Sequence, residues 1–311
     1  MYRLILTALS LLGLSSTVSA NGELFIEHAD LFGSGVKFHP FAEPWYLQRP
    51  VPNYYVNQLQ RFALPPAYFP VDNERKRLIV IGGDGDLLSA PWAAQVLGIL
   101  ADNPYNEVWL NSARTLGELR AYRSISMLNI AAEHGSVLLI ATSKDKKIVK
   151  KVVHDNSPHV IRAVKEMAQG LPMTYHEGEN TISYSYQSGA ARNVKRAERS
   201  LQNYLDENVV EFKVRLDGDE PHYGELKHEN AEKGNLLATL IGTGRYHVGF
   251  ALGDRESDEA MFKALVAMKA NGVGTFYPVI FSNTDDKVTS AEYRLRNDQE
   301  VYQFFFHLTG Q

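Results

Sequence analysis

From Leu78 onward, short apolar runs and helix-length amphipathic segments take turns along the chain, an order that argues for a parallel sheet covered by helices. The run "LIVI" (78–81) is continuous rather than alternating, as suits a strand buried on both faces. "PWAAQVLGILADN" (91–103) reads as a helix with proline at its start, and "VWLN" (108–111) as a second strand. In "TLGELRAY", Thr115 and Glu118 have capping-box spacing, which predicts a helix opening there, and residues 134–140 read as a further strand. The same alternation resumes at 232–242, 246–254 and 257–272. In that last helix Met261, Leu265 and Met268 form an apolar stripe, read as core.

The middle of the chain has a different character. "HVIRAVKEMAQG" (159–170) predicts a helix closed by Gly170, "TISYSYQ" (181–187) a strand, and residues 190–208 a long charged helix. Two strands around "DGDEP" follow within 209–228. These make a compact α+β insert at 143–225, a cap or lid, interrupting a core built from 76–142 and 226–311. The basic run at 144–153 alternates lysine with apolar residues, as a solvated helix or strand face does.

Residues 1–20 combine Arg3, an apolar run from Leu4 to Leu14 and a small-residue end at Val18, Ser19 and Ala20, the pattern of a secretory signal peptide. The apolar run is too short to span a bilayer. The expectation is a secreted, extracellular protein whose mature chain starts at Asn21. Residues 21–75 are dense in proline and aromatics and predict an irregular extension. No cysteine occurs, so stability rests on packing, which a 311-residue chain with 44% hydrophobic residues can supply. A net charge of −4 offers no global attraction for nucleic acid or anionic membranes.

Several local patterns also stand in a telling order: "LIVIGGDGDL" after a strand, "VWLNSARTLGELR", "AAEHGS", "EKG" around Lys233, "LGDRESDEAMFKAL" and the tail "AEYRLRNDQEVYQFF". In these the chain, from Arg77 to its end, resembles the trehalose-6-phosphate phosphatases of the haloacid dehalogenase superfamily. The resemblance implies a Rossmann-like α/β core, a parallel sheet with helices on both faces, plus an inserted α+β cap. It also implies a chemistry. The first Asp of a DxD motif attacks phosphorus, the second protonates the leaving oxygen, and Mg²⁺ neutralises the phosphoryl charge.

The family's motifs map unevenly onto this chain. Placed directly after the "LIVI" strand, DxDGTL puts Gly82 at the nucleophile, Asp84 at the acid/base and Asp86 at the Thr. Glycine carries no nucleophile. A shifted register, with Asp84 attacking and Asp86 as acid/base, moves the carboxylate two residues along, at ~3.3 Å of rise per residue. Ser112 and Arg114 match the SGR motif, with Ala113 in place of its glycine; Lys233 matches the phosphate-binding lysine, and Glu133 the EHG turn. A surface lysine preceding a helix is an equal reading of Lys233. Asp254 and Asp258 match acids of the last motif, the implied metal ligands, but Arg255 replaces the acid between them. A guanidinium about 4 Å from a divalent site opposes metal binding by roughly several kcal/mol, so the reading is no cofactor, or Mg²⁺ if the chain is active. In the cap, Glu179, Ser185 and Gln187 stand where the resemblance places Lys, His and Arg, and only Tyr186 matches a sugar-phosphate contact.

Other catalytic patterns are missing: there is no HExxH, GxSxG or Walker loop, and most histidines read as surface or turn residues. Three functions stay open. The first is a secreted pseudophosphatase that binds a protein, a glycan or itself. The second is a Mg²⁺-dependent sugar-phosphate phosphatase using Asp84. The third is an anion or sugar-phosphate binding module in which the amides of 82–85, Ser112 and Lys233 hold the ligand.

Overall fold

A computed structural model describes residues 16–18, 24–26, 77–88, 90–144, 146–152, 157–169, 171–208, 212–216, 223–228, 231–246, 248–283 and 288–309. The expected leader and extension lie outside these, apart from strands β1 (Ser16–Val18) and β2 (Leu24–Ile26), which pair antiparallel. The described residues divide into two compact units, one drawn from 1–33 and 150–231, the other from 34–149 and 232–311. The stretch Lys150–Ala231 of the first unit contains most of the insert expected at 143–225.

The core unit is a mixed sheet with helices on both faces. Its strands are β3 (Arg77–Gly82), β4 (Asn106–Asn111), β5 (Asn129–Ala132) and β6 (Val137–Ser143), then, past the insert, β12 (Val248–Gly253), β13 (Thr275–Phe281) and β14 (Tyr293–Leu295). Their order is β6-β5-β4-β3-β12-β13-β14, parallel except where β6 runs against β5. Alternate side chains of β3 enter different apolar layers, which is why the run 78–81 has no polar position. Ile79 and Ile81 pack with Leu97 and Leu100 of α1 (Ala93–Asp102) and with Phe304 and Leu308 of α7 (Asp298–Thr309). Leu78 and Val80 pack with Leu237 and Ile241 of α5 (Lys233–Gly242) and with Met261 and Leu265 of α6 (Glu259–Ala270). Met268 sits partly buried against the same layer, so the methionine stripe is core.

Two local expectations change. The predicted strand over 134–140 starts only at Val137, because Glu133–Gly135 forms a tight turn with φ of 51° at Glu133, 56° at His134 and 96° at Gly135. The short strand β5 before that turn escaped the sequence reading; four residues, three of them Ala or Asn, carry little periodic signal. The Thr115–Glu118 capping box does form, with amide bonds of 2.8 Å and 3.3 Å. It closes a turn, however, and the following helix α2 covers only Arg120–Arg123.

The insert unit carries a four-stranded antiparallel sheet in the order β10 (Phe212–Leu216), β11 (Tyr223–His228), β9 (Thr181–Tyr186), β8 (Met173–Glu177). Strand β7 (Lys146–Val152) makes the basic run a strand, and its Lys150–Val152 end pairs with β2. Helices α3 (Ser157–Ala168) and α4 (Ala191–Asn208) cover the insert sheet, with Val160, Val164, Leu201 and Leu205 against Ile182 and Leu226. No helix among the described residues is long and apolar enough to cross a membrane.

Candidate active site

The ends of three adjacent core strands converge with the first residue of α5. Beyond β3 the ladder continues for one residue, Gly83 N donating to Asn111 O at 3.0 Å, and the chain then turns at Asp84. Ser112 follows β4 directly, Asp254 follows β12, and Lys233 opens α5. Carboxyl ends of parallel strands are where open α/β sheets build their sites, since the loops there share one crevice.

Asp84 is the centre of the cluster. Its Oδ1 accepts from Ser112 Oγ at 2.5 Å and from the Ala113 amide at 2.7 Å. Its Oδ2 accepts from Ser257 Oγ at 3.3 Å and pairs with Lys233 Nζ at 2.5 Å. The same ammonium reaches Asp258 Oδ1 at 2.5 Å and Ser257 Oγ at 3.1 Å. The other oxygen of Asp258 accepts the amides of Asp254 and Arg255 at 3.0 and 3.1 Å, tying down the turn that leads into α6.

Lys233 is wholly buried rather than a surface residue, with no exposure of its side chain or of Asp258, while Asp84 keeps 13%. Burial by itself would raise the Asp84 carboxyl; the charge of Lys233, then that of His134, and hydrogen bonds from Lys233 and Ser112 overcome it and hold the group well below the ordinary carboxylate range. Burial likewise works against the Lys233 ammonium, but the charges of Asp258 and Asp84 and their hydrogen bonds push its pKa above the usual lysine range. Asp84 and Lys233 therefore face each other fully ionised.

Position 82 decides what the site can do. A Cβ built on Gly82 would stand 2.5 Å from Asp258 Oδ1 and 2.7 Å from its carboxyl carbon. A side chain at the tip of β3 is thus absent from the sequence and its space is filled by another residue. Gly85 is constrained in the same way by the Asp254 carboxylate, so these glycines serve close approach of backbone to carboxylates. The Gly83 amide is already committed to the ladder and does not offer itself to an anion.

Between Asp84 and Asp258 the superfamily's Mg²⁺ does not fit the residues present. Magnesium needs carboxylate oxygens with free lone pairs in octahedral array. Here both oxygens of Asp84 and both of Asp258 receive protein donors, and an ammonium sits between them. Among the described residues no group of three His, Asp or Glu is placed to share an ion. The cation joining the acids is Lys233, whereas Arg255 brings its backbone amide to Asp258.

The remaining predicted site residues are placed as follows. Arg114 spans the turn, its amide donating to Ser112 Oγ at 3.1 Å and its guanidinium to Asp84 O at 3.2 Å. Glu133 and His134 are buried in the turn after β5, and their amides bond to Arg114 O and Ser112 O. Asp86 begins the short helical turn Asp86–Leu88, and its side chain lies outside the described residues. Tyr186 belongs to the insert unit, where it packs with Tyr184, Ala190 and Val194. Sequence reasoning missed Asn111, whose buried amide donates to Lys233 O at 3.1 Å, and did not single out His134, which is buried within the turn. An asparagine closing an apolar strand run was the available signal for the first.

Solved structures define the class first. The chain matches an Aspergillus fumigatus trehalose-6-phosphate phosphatase at TM-score 0.57 and 21% identity, covering 84% of this chain and 100% of that one. It matches the C-terminal domain of a Candida albicans trehalose synthase regulatory protein at TM-score 0.65 and 12% identity, with 83% and 99% covered. A phosphatase of the haloalkanoate (HAD) enzyme superfamily from Bacteroides thetaiotaomicron matches at TM-score 0.53 and 14% identity, with 78% and 98% covered. At such identities the likeness establishes a fold, that of the HAD-like phosphatases. The family follows from sequence: the trehalose-phosphatase model matches residues 86–299, and the chain belongs to that family. No curated protein matches it by sequence.

Proposed function

We propose that this protein is a secreted pseudophosphatase, a trehalose-phosphatase scaffold that binds rather than hydrolyses. One observation carries the reading: the tip of β3 bears no carboxylate, and Asp258 Oδ1 lies 2.5 Å from where its Cβ would be. Phosphoryl transfer through an aspartyl intermediate needs that carboxylate in line with phosphorus, and displacement by even a bond length costs heavily. Asp84, two residues on, is no substitute, because both its oxygens are consumed by Ser112, Ala113, Ser257 and Lys233. Loss of the expected Lys, His and Arg at 179, 185 and 187 removes the charge that would offset a phosphomonoester.

The leader-like residues 1–20 support export, and binding of a protein, a glycan or a second copy is the role left to such a scaffold. The same fold in a protein described as a trehalose synthase regulatory protein is in keeping with a non-hydrolytic role. The test is phosphate release from trehalose 6-phosphate with Mg²⁺, run on wild type and Asp84→Asn. The expected rate equals the protein-free blank for both; turnover in wild type that disappears in the variant would overturn the proposal.

A further inference from the structure

The donors around Asp84 make up more than a salt bridge. Each carboxylate oxygen receives two: Ser112 Oγ and the Ala113 amide on Oδ1, Ser257 Oγ and Lys233 Nζ on Oδ2. They come from three separate segments, the end of β4, the start of α5 and the turn before α6. This is the donor complement of a buried oxyanion.

The donors are also held without help from Asp84. Ser112 is fixed by its own amide on Ala131 O at 2.8 Å and by the His134 amide on its carbonyl at 2.9 Å. Its hydroxyl already accepts the Arg114 amide, which directs the hydroxyl proton at Asp84. Ser257 Oγ accepts from Lys233 and so presents its proton to Oδ2 in the same way. Lys233 is held by Asp258 and, through its carbonyl, by Asn111. The cradle is therefore preformed, and its occupant is one side chain on the short turn after β3.

We propose that Asp84 is a resident ligand: its carboxylate fills an oxyanion site made by Ser112, Ala113, Ser257 and Lys233 and closes that site to small oxyanions from solution. The inference rests on the pseudophosphatase reading and adds why such a site would not trap phosphate either. A tethered carboxylate outcompetes a free one because it gives up little additional translational freedom. Removing it opens a site for formate, which reproduces the carboxylate, or for inorganic phosphate.

The test compares wild type, Asp84→Ala and the double variant Asp84→Ala with Lys233→Met by thermal melting in sodium formate, sodium phosphate and sodium chloride at matched ionic strength. Binding of ¹³C-formate is read by NMR. Asp84→Ala is expected to melt lower than wild type and to recover in formate but not chloride, half-saturating at roughly 1–10 mM as befits so small a ligand. Wild type should respond to neither anion beyond the chloride control, and the double variant should lose both recovery and formate binding. If Asp84→Ala does not fold in chloride, refolding from denaturant in formate replaces the melt; failure in both salts overturns the inference. So does phosphate binding by wild type equal to that of the variant. Turnover of trehalose 6-phosphate by wild type would instead sink the earlier reading, in an assay that formate rescue does not enter.

Discussion

The carboxylate of Asp258 occupies the space a side chain at position 82 would need, its Oδ1 2.5 Å from the point where a Cβ of Gly82 would stand. The two positions are coupled by packing, so an acid introduced at 82 alone meets the carboxylate of Asp258.

Gly82→Asp is accordingly expected to gain no phosphatase activity and to lose stability. Gly82→Ala should already cost about 1–3 kcal/mol, the range for overpacking a close-packed interior. Urea denaturation measures the loss, and a neutral Gly82→Ala would show that Asp258 can move aside.

Lys233→Met leaves two carboxylates facing each other in the interior. Breaking a buried ion pair from one side costs about 3–5 kcal/mol, and Lys233 is fully buried between Asp84 and Asp258 at 2.5 Å each. Equilibrium denaturation of this variant should show a loss of that size. Lys233→Arg should not repair it, because the fork is too large for the space an ammonium fills.

Folding depresses the Asp84 pKa, so the stability it contributes is complete above its unfolded value of about 3.9 and is lost as pH falls toward the folded value. Asp84→Asn lacks this contribution. The stability gap between wild type and variant should stay level from about pH 5 to 8 and close below about pH 4. Lys233, whose pKa is raised, contributes the reverse dependence: full below about pH 10.4 and lost above its folded value.

Millimolar Mg²⁺, or EDTA, should leave the melting temperature unchanged, since stabilisation by a ligand requires a site that binds it in the folded state. A rise with Mg²⁺ that Asp254→Asn removes would show that the acids of the last motif retain a metal.

Arg77 ties the first core strand to the last helix, its guanidinium donating to Asn106 Oδ1 at 2.9 Å and to Leu308 O at 2.7 Å near the end of α7. With only 1% of the residue exposed, Arg77→Met leaves these acceptors short of a charged donor, worth roughly 1.5–3 kcal/mol each. Hydrogen exchange of α7 should accelerate ahead of that of β3.

Local pattern was enough to read the core strands at 78–81 and 108–111, the methionine stripe of α6 and the family, because each is written in periodicity or in short motifs. It also showed that position 82 has no nucleophile, which is a matter of residue identity. What it left undecided was arrangement. Whether Lys233 lies on the surface or in the interior depends on burial by α5, α6 and the strand ends together, and no local spacing encodes that. The cation that unites the acids is Lys233, a choice made by distances between residues more than twenty positions apart. That Asp258 fills the place left by Gly82, and that Asp84 is enclosed by donors from three segments, are likewise properties of the assembled sheet. Side-chain chemistry is fixed residue by residue, whereas occupancy of a buried space is a contest among all the groups that can reach it, settled only when the chain is packed.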